Sequence, residues 1–466
     1  MAGNRDIKDA RILGWPRMLI LGLQHMFAMF GATILVPILI DGYFEGEGMS
    51  IQVTLFCAGA GTLLFHLITK FKVPAFLGSS FAFLGGYATV ASLNTGIYAG
   101  MSMHEKLQYA CGGIVVSGAM YIILALIIRW LGVARVMRFL PPVVTGPIIM
   151  CIGLSLAPSA ISNASANWLL AIIAFAVVVI FNIWGKGLFK IIPILTGVVI
   201  AYICAMIFQA FGMTNADGSA LIDYASIASA QAIQVQPFFF CKFDITSILV
   251  MAPISIATMM EHIGDISAIS ATVGENYLEN PGLNKTILGD GLATAFSGAI
   301  GGPANTTYGE NTGVLELSRV HDPKVIRLAA LYAVVLSFSP KIAEVIGSMP
   351  TAIIGGISFI LYGMISAIGI RNVVENKVDF TKSRNLIIAA VILVTGLGFT
   401  DGLTFEVAGT SITLTSLAMA SILGIVLNSV LPGYDYHVST RGNLATTITD
   451  QTSYEKAADK PGEDIK

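Results

Sequence analysis

The chain has 466 residues, of which 55% are hydrophobic and only 12% are charged, and its formal net charge is -2 at pH 7. This composition excludes an ordinary soluble globule and indicates a polytopic membrane protein. The five cysteines are scattered through apolar stretches without paired or metal-ligand spacing, so the sequence predicts neither a disulfide framework nor a metal site.

The N-terminal residues are polar and charged, and no small-residue cleavage site follows a short apolar core. We therefore expect no signal peptide. The first apolar segment is expected to act as its own insertion signal.

About fourteen apolar segments approach the roughly 20 residues that a helix needs to cross a bilayer. They cover residues 17–40, 50–69, 75–95, 108–130, 137–157, 167–185, 190–211, 246–272, 286–302, 305–320, 325–347, 350–370, 383–400 and 412–431. Polar or glycine-rich residues interrupt the third and the tenth segment. We expect each of these two to be a half-helix.

The basic residues support an even number of spans with both termini in the cytoplasm. In that topology all but three of the 26 lysines and arginines lie on the cytoplasmic side, as short loops require. The exceptions are Lys106, Lys242 and Lys341. The polar loop at 213–245 is then extracellular, and the polar tail at 433–466 is cytoplasmic and expected to be disordered.

Two short segments indicate an internal repeat. Residues 141–146 open the fifth span and residues 350–356 open the twelfth, each with proline followed by glycine. The interrupted spans also hold equivalent places in two halves of seven spans. Because seven is odd, the two repeats would be inverted in the membrane, as in many secondary transporters. Proline followed by glycine can also be simple helix punctuation, and this alternative stays open.

The eighth span carries two carboxyl groups on a face of otherwise small side chains. Glu261 and Asp265 are one helical turn apart on this face, and His262 points about 100° away from Glu261. Carboxyl groups are costly in a lipid-embedded helix, which favours a functional site. His262 is a candidate for packing or for fixing a tautomer. For His25 in the first span, ligand contact and a structural hydrogen bond are both open.

The interrupted spans provide groups that complement these carboxyls. A helix that begins near Gly309, between Tyr308 and Glu310, would present free backbone N–H groups. Residues 78–81 can do the same from the third span, where the ring of Phe81 or Phe83 could cover a flat ligand. The Gly-Ser-Ser within them could equally serve close helix packing. A neutral diketo heterocycle such as uracil has the hydrogen-bonding groups that complement this set. The set consists of two acceptors for N–H groups, two sets of backbone N–H donors and an aromatic face.

The chain resembles the nucleobase-ascorbate transporter family of nucleobase-cation symporters over nearly all of residues 17–430. The family signature is an acidic or amide residue, then Asn-x-Gly, four residues, Thr and a basic residue. Residues 310–319 match it, with Ser318 in place of the threonine. Gln24-His25 and residues 78–81 match two further landmarks. Glu310, rather than glutamine, is similar to the uracil branch and differs from most purine carriers.

The resemblance implies an all-α membrane fold of two inverted seven-span repeats, with short antiparallel strands in spans 3 and 10, and a homodimer. It also implies that a core domain holds the ligand and a gate domain moves against it. The corresponding segments are the tail 1–16, core 17–131, gate 132–212, loop 213–245, core 246–348, gate 349–432 and tail 433–466.

By position, the resemblance implies that Glu261 and Glu310 hold the ring N–H groups and that the backbone at Phe81 and Gly309 donates to the ring oxygens. Ser80 and Tyr308 complete the substrate site. Asp265 stands where some family members have histidine, which leaves the proton-coupling residue open among Asp265, Glu261 and His25. Aspartate has a lower reference pKa than histidine and would need desolvation or a neighbouring carboxylate to titrate near neutrality.

The sequence thus predicts a proton-coupled symporter that imports uracil across the bacterial cytoplasmic membrane by alternating access. We expect no cofactor beyond the co-transported proton, and membrane lipid but no nucleic acid as a partner. A xanthine or urate permease of the same family and an anion exchanger of related architecture remain alternatives. An enzyme is disfavoured because the sequence contains no recognisable Ser-His-Asp set, metal-ligand cluster or phosphate loop.

Overall fold

The computed structural model describes residues 6–215, 218–400, 402–407 and 410–433. Within them the protein is mostly helical, with two two-stranded antiparallel sheets. The first five residues and residues 434–466 lie outside the described part. The prediction of a disordered C-terminal tail therefore stays a prediction.

The helices up to the long polar loop have the following bounds: α1 (Trp15–Tyr43), α2 (Ile51–Ile68), α3 (Leu84–Ser92), α4 (Met103–Leu131), α5 (Val133–Met137), α6 (Pro142–Ser155), α7 (Ala157–Ser165), α8 (Trp168–Trp184), α9 (Leu188–Ile191), α10 (Pro193–Ala210) and α11 (Tyr224–Ser229). The remaining helices are α12 (Ile245–Met251), α13 (Ser255–Val273), α14 (Leu283–Ala299), α15 (Gly309–Ser318), α16 (Pro323–Leu336), α17 (Pro340–Gly347), α18 (Thr351–Glu375), α19 (Ser383–Gly398) and α20 (Ser416–Val430). The strands are β1 (Leu77–Ser79), β2 (Asn305–Thr307), β3 (Leu403–Val407) and β4 (Thr410–Leu414).

Seven helical segments among the described residues are long and apolar enough to cross a membrane. An eighth is added if α16 and α17, which are bent by 89° at their junction, form one span. The shorter apolar helices α8, α19 and α20 lie where the sequence predicts the sixth, thirteenth and fourteenth spans. The protein is therefore a multi-pass membrane protein, whereas the count of fourteen and the inverted repeats are not confirmed and stay predictions.

The two interrupted spans each contain a short strand followed by a half-helix. β1 pairs antiparallel with β2, so that Leu77 lies opposite Thr307 and Ser79 opposite Asn305. The half-helices that follow them, α3 and α15, have only 9 and 10 residues. The short antiparallel strands expected in these spans are thus present. All residues of both strands are buried, and their pairing satisfies backbone groups that water does not reach.

Neighbouring helices fix the strand pair in place. The hydroxyl of Thr62 on α2 donates to the Leu77 carbonyl (3.1 Å) and accepts from the Leu77 N–H (2.9 Å). The Asn305 side-chain amide donates to the carbonyls of Cys57 on α2 and Ala293 on α14. Because hydrogen bonds hold both strands to long helices, the positions at which the following half-helices begin are fixed.

Gly78 allows β1 to pass close to its neighbours. A Cβ atom at this position would lie 2.4 Å from ring carbons of Tyr308 and 2.7 Å from the Thr33 hydroxyl oxygen. Real Cβ atoms do not approach other heavy atoms so closely, so no other residue fits here without displacing the ring. The Gly-Ser-Ser segment therefore serves close packing, which is one of the two interpretations that the sequence left open.

Candidate functional site

A small cavity lies where β2, the start of α15 and the middle of α13 meet. We call it the central cavity, and it is lined by Phe81, Ile149, Glu261, Asp265, Thr306, Thr307, Tyr308, Gly309, Glu310, Ile365 and Ile368. Its polar groups come from α13, β2 and α15, and isoleucines from α6 and α18 close the opposite wall. The isoleucines belong to the segments predicted as the gate, so the cavity lies between the two predicted domains.

The structure brings six of the eight predicted site residues to this cavity. Glu261, Glu310, Asp265, Phe81, Gly309 and Tyr308 line it, whereas Ser80 and His25 do not. The roles assigned to all eight stay predictions.

The central cavity has a volume of about 20 Å³. A single buried water needs about 10 to 15 Å³ by the same measure, so the cavity in this conformation has room for water but not for a heterocyclic base. A ligand of that size requires its walls to separate. The isoleucines on α6 and α18 form the apolar wall of the cavity. Movement of this wall away from α13 and α15 would make room for the ligand.

The carboxyl groups of α13 face the cavity with different hydrogen-bond partners. The hydroxyl of Thr307 donates to Asp265 Oδ2 over 3.0 Å. Glu261 Oε2 and the hydroxyl of Thr306 are buried and have no hydrogen-bond partner in the described part of the protein. Buried polar atoms are rarely left without a partner, so these two groups are candidates to contact a ligand.

The start of α15 presents backbone donors to the same cavity. The helix begins at Gly309 with Glu310 in its first turn, and its N-cap residue, Tyr308, makes no side-chain capping hydrogen bond. A Cβ atom on Gly309 would lie 3.0 Å from Ile368 Cδ1 and 3.7 Å from Asp265 Oδ1. Glycine thus keeps the space in front of the free N–H groups open, and these groups attract carbonyl oxygens or anions.

Phe81 and Ser80 follow β1 but have different surroundings. The ring of Phe81 packs edge-on against Tyr362 of α18, with centroids 5.8 Å apart. The backbone N–H of Ser80 donates to the Ala304 carbonyl (2.8 Å), which extends the strand pairing. The Ser80 hydroxyl is buried, has no hydrogen-bond partner among the described residues, and does not line the cavity. Phe81 is therefore the aromatic wall, and Ser80 holds the backbone next to it.

Tyr308 links three elements through its hydroxyl. The phenol donates to the Ser79 carbonyl over 2.8 Å, and it lies 3.2 Å from the Ser79 hydroxyl and 3.4 Å from that of Thr33 on α1. Because the hydroxyl is engaged within the protein, contact with a ligand would fall to the ring and the backbone of Tyr308.

His25 binds to α15 rather than to the cavity. It is fully buried, and the Asn311 amide donates to its carbonyl oxygen (3.1 Å) and lies 3.3 Å from its Nδ1. Asn311 directly follows Glu310, so this contact fixes the orientation of the first turn of α15. Of the two roles left open for His25, ligand contact and a structural hydrogen bond, this contact favours the structural hydrogen bond.

Sequence reasoning missed Asp290. It lies on α14, is fully buried, and its Oδ2 is 2.9 Å from Nδ1 of His262. The same His262 nitrogen lies 3.5 Å from the hydroxyl of Thr307, which in turn donates to Asp265. The signal in the sequence is a lone carboxyl between Gly289 and Gly291 in an apolar span, which is costly unless it has a function or a partner.

A larger cavity of about 380 Å³ adjoins the central one, and we call it the vestibule. It shares Gly309, Glu310 and Ile368 with the central cavity, so Glu310 lies at the boundary between the two. Its further lining comes from Phe27, Ala28, Asn182, Lys190, Ile192, Pro193, Ile194, Leu195, Gly313, Val314, Leu317, Met364, Ala367 and Arg371. Lys190 and Arg371 lie on the side that the sequence predicts to be cytoplasmic.

A model of a permease family matches residues 16–405 of this chain. The chain belongs to this permease family. The permease is 38% identical to the uracil permease of Bacillus caldolyticus, over 92% of this chain and 94% of the relative. It is 38% identical to that of Bacillus subtilis (strain 168) over 88% and 91%, and 34% identical to that of Escherichia coli (strain K12) over 88% and 90%. The resemblance inferred from the sequence motifs is thus confirmed.

Solved structures of other transporters share the fold of this permease, and two of them illustrate the likeness. The transmembrane domain of a cyanobacterium bicarbonate transporter, BicA, gives a TM-score of 0.59 at 14% identity, covering 91% of this chain and 99% of that one. The murine anion transporter Slc26a9 in the inward-facing state gives 0.61 at 11% identity, covering 90% and 70%. Identities this low show a common fold alone. Family and fold together point to a transporter rather than an enzyme.

Proposed function

We propose that this permease is a proton-coupled symporter that imports uracil across the bacterial cytoplasmic membrane by alternating access. The observation that carries the proposal is that Glu261 and Glu310 line one enclosed cavity together with the uncapped start of α15 and the ring of Phe81. The names of its relatives, which are uracil permeases, support the choice of base. The proposal includes fourteen spans in two inverted repeats, cytoplasmic termini and a homodimer.

The proposed substrate contacts follow from the hydrogen-bonding capacity of each group. Ionised carboxyl groups only accept hydrogen bonds, so Glu261 and Glu310 take the two ring N–H groups of uracil. The free N–H groups at the start of α15 donate to a ring carbonyl, and Phe81 covers the face of the ring. A pyrimidine with two N–H and two C=O groups uses all of these partners.

The coupling to protons follows from the crowding of acidic groups. Glu261 and Asp265 both line the central cavity, and like charges at short range in a water-poor site repel strongly. A proton that enters with the base removes one of these charges and lets the walls close. One proton moving through 100 mV supplies about 2.3 kcal/mol, which is enough for about fiftyfold accumulation of a neutral base.

The two alternatives make different demands on the site. A purine carrier of the same family would use most of the same residues, and Glu310 at the first signature position is the feature that favours uracil. An anion exchanger would need a cation beside the helix start, whereas Glu261, Asp265 and Glu310 line the central cavity. On this proposal, the likeness to anion transporters concerns the fold and not the transported substrate.

Uptake of labelled uracil into proteoliposomes that hold the purified permease tests the proposal. We expect uracil to accumulate when the outside is acidic and the inside negative, and to equilibrate without accumulation when both gradients are collapsed. Undiminished accumulation without gradients would rule out proton coupling. Competition by excess xanthine or urate as strong as that by unlabelled uracil would favour the purine carrier, and chloride or sulfate currents would favour the exchanger.

A further inference from the structure

The vestibule has opposite charges at its two ends. Glu310 lies at its inner end, where it meets the central cavity, and the exposed side chains of Lys190 and Arg371 line it towards the predicted cytoplasmic side. Arg371 also forms an ion pair with Glu375 one turn along α18 (2.5 Å). Most of the wall between the two ends is apolar, with Phe27, Ile194 and Met364 among its members.

The size of the vestibule suits a small molecule larger than a free base. Its volume of about 380 Å³ falls in the usual range for small-molecule sites, whereas the central cavity holds only about 20 Å³. Its lining along α15 runs from Gly309 to Leu317, which corresponds to about 12 Å at 1.5 Å per residue. That distance is comparable with the length of a nucleoside monophosphate from base to phosphate.

We propose that the vestibule binds a pyrimidine nucleoside monophosphate from the cytoplasm, with the base towards Glu310 and the phosphate at Lys190 and Arg371. A ring N–H that survives attachment of the ribose donates to the Glu310 carboxylate, and the apolar wall packs against base and sugar. Arginine and lysine are the side chains that proteins most often use for phosphate. This inference rests on the proposed function, from which it takes the recognition of the base by Glu310 and the assignment of the Lys190 and Arg371 side to the cytoplasm.

The arrangement disfavours two other phosphate-bearing ligands. A phospholipid whose headgroup sat at Lys190 and Arg371 would press an acyl chain against the carboxylate of Glu310, which is costly because a buried charge needs polar partners. Inorganic phosphate would use the cationic end alone and leave the apolar wall unfilled. A ligand with an uncharged hydrogen-bonding end, an apolar middle and an anionic end fits the whole vestibule.

Occupancy of the vestibule has a direct consequence for transport. It places a ligand between the central cavity and the predicted cytoplasmic exit, against both α15 and α18. A bound nucleotide would therefore occupy Glu310 and hold the present conformation, in which the central cavity is too small for uracil, and so slow the transport cycle. The permease would be inhibited from the inside by a charged derivative of its own substrate.

Thermal-shift titrations of the purified permease with uridine monophosphate, uracil, uridine and inorganic phosphate test the inference. The variants are Lys190→Gln and Arg371→Gln, and the matched controls are Lys186→Gln and Lys377→Gln, two exposed lysines of the same connecting regions that do not line the vestibule. We expect uridine monophosphate to raise the Tm of the wild type and of both controls. In the two vestibule variants its half-saturating concentration should rise at least tenfold, while that of uracil changes less than twofold.

The comparison of ligands separates the possible outcomes. If inorganic phosphate raises the Tm as effectively as the nucleotide, or if uridine does, the inference is overturned, because only one end of the vestibule would then be used. The inference is also overturned if uridine monophosphate raises the Tm of all four variants at the same concentrations. It is overturned as well if anionic phospholipid in nanodiscs abolishes the rise in Tm that the nucleotide produces. If uracil itself fails to raise the Tm of the wild type, the proposed function fails instead.

A transport experiment provides a second, sided measurement. Uridine monophosphate sealed inside proteoliposomes should lower the initial rate of uracil uptake, and the same concentration outside should lower it much less for molecules inserted in the native orientation. Lys190→Gln should remove the inhibition from inside, whereas Lys186→Gln should keep it. Equal inhibition from both sides would contradict a cytoplasmic site.

Discussion

Asp290 on α14 and His262 on α13 form a fully buried pair, with Oδ2 of the aspartate 2.9 Å from Nδ1 of the histidine. The pair is connected to the central cavity through Thr307, whose hydroxyl lies 3.5 Å from the same histidine nitrogen and donates to Asp265. Three elements, α13, α14 and β2, are thereby joined behind the proposed substrate site. Polar groups in such a network are costly to leave without their partners.

Asp290→Asn should lower proton-driven uracil uptake by at least tenfold. The change keeps the size of the side chain and removes the charge beside His262, so the contact that orients the ring towards Thr307 loses its ionic component. Initial rates in proteoliposomes, with and without a pH gradient, measure the effect. Asp379→Asn, at an exposed aspartate, is the control and should transport like the wild type. Wild-type uptake by Asp290→Asn would show that the buried pair has no part in transport.

Glu310→Gln and Glu261→Gln should each weaken uracil binding by more than tenfold. The amide has one acceptor oxygen, whereas the carboxylate has two. The amide also adds an N–H donor, which would face the ring N–H donor of uracil. Thermal stabilisation by uracil measures binding. Glu316→Gln is a matched control on the same helix, since Glu316 is exposed and does not line the cavity. Unchanged stabilisation by uracil in either of the first two variants would refute the role assigned to that residue.

Gly309→Ala should reduce uracil affinity at least tenfold. The added Cβ would lie 3.0 Å from Ile368 Cδ1 and would fill the space before the free N–H groups of α15. Gly313→Ala is the comparison, because a Cβ at that position of the same helix would have no described atom within 4 Å apart from the neighbouring residues and backbone of its own helix. Replacing a glycine by alanine inside a helix stabilises it by about 0.5 to 1 kcal/mol, so Gly313→Ala should bind uracil normally with an equal or higher Tm. Similar affinities in the two variants would argue against a ligand at Gly309.

Tyr308→Phe should lower stability more than it lowers affinity. The hydroxyl donates to the Ser79 carbonyl over 2.8 Å, and a hydrogen bond of this kind contributes about 0.5 to 1.5 kcal/mol. The ring, which lines the cavity, is retained. We expect a lower Tm without ligand and a uracil affinity within about threefold of the wild type, as measured by thermal shift and radioligand binding. A large loss of affinity at unchanged Tm would mean that the hydroxyl contacts the substrate.

The N-terminal segment should keep its ion pairs down to mildly acidic pH. The guanidinium of Arg11 beside Asp9 holds the pKa of that carboxyl well below its usual range, and Lys324 also contacts it. A carboxyl with a lowered pKa in the folded state stabilises at every pH above its unfolded pKa of about 3.9 and loses this contribution only below it. The difference in Tm between wild type and Asp9→Asn should therefore be constant from pH 7 to pH 5. A difference that disappears by pH 5 would contradict the ion-pair geometry.

Local sequence was sufficient for much of the site. The helical period alone places Glu261 and Asp265 on one face of α13, since residues four apart share a face. The polar interruption after residue 300 predicts a break before Gly309, because backbone without helical bonds is tolerated only inside the protein. The antiparallel strands came from the family resemblance. All three features are present, with β1 and β2 paired and α15 beginning at Gly309.

Several of the helices in the expected spans are short. α3 and α15 are too short to cross a bilayer, and α14, α8, α19 and α20, with 15 to 17 residues, are shorter than the roughly 20 residues of a typical crossing helix. Composition and charge give the order of apolar segments. They do not determine which half-helices and short helices combine to cross the membrane.

By itself, the sequence determined a multi-pass membrane protein of the permease family, its interrupted spans and the carboxyl groups of α13 and α15, because these depend on composition, on the helical period and on motifs within short windows. Only the tertiary structure decided that Asp290 pairs with His262, that the Tyr308 hydroxyl is used within the protein, and that Glu310 lies between a small cavity and a large one. Each of these depends on contacts between residues far apart in the chain. Such contacts are set by the packing of whole helices, which no local pattern specifies.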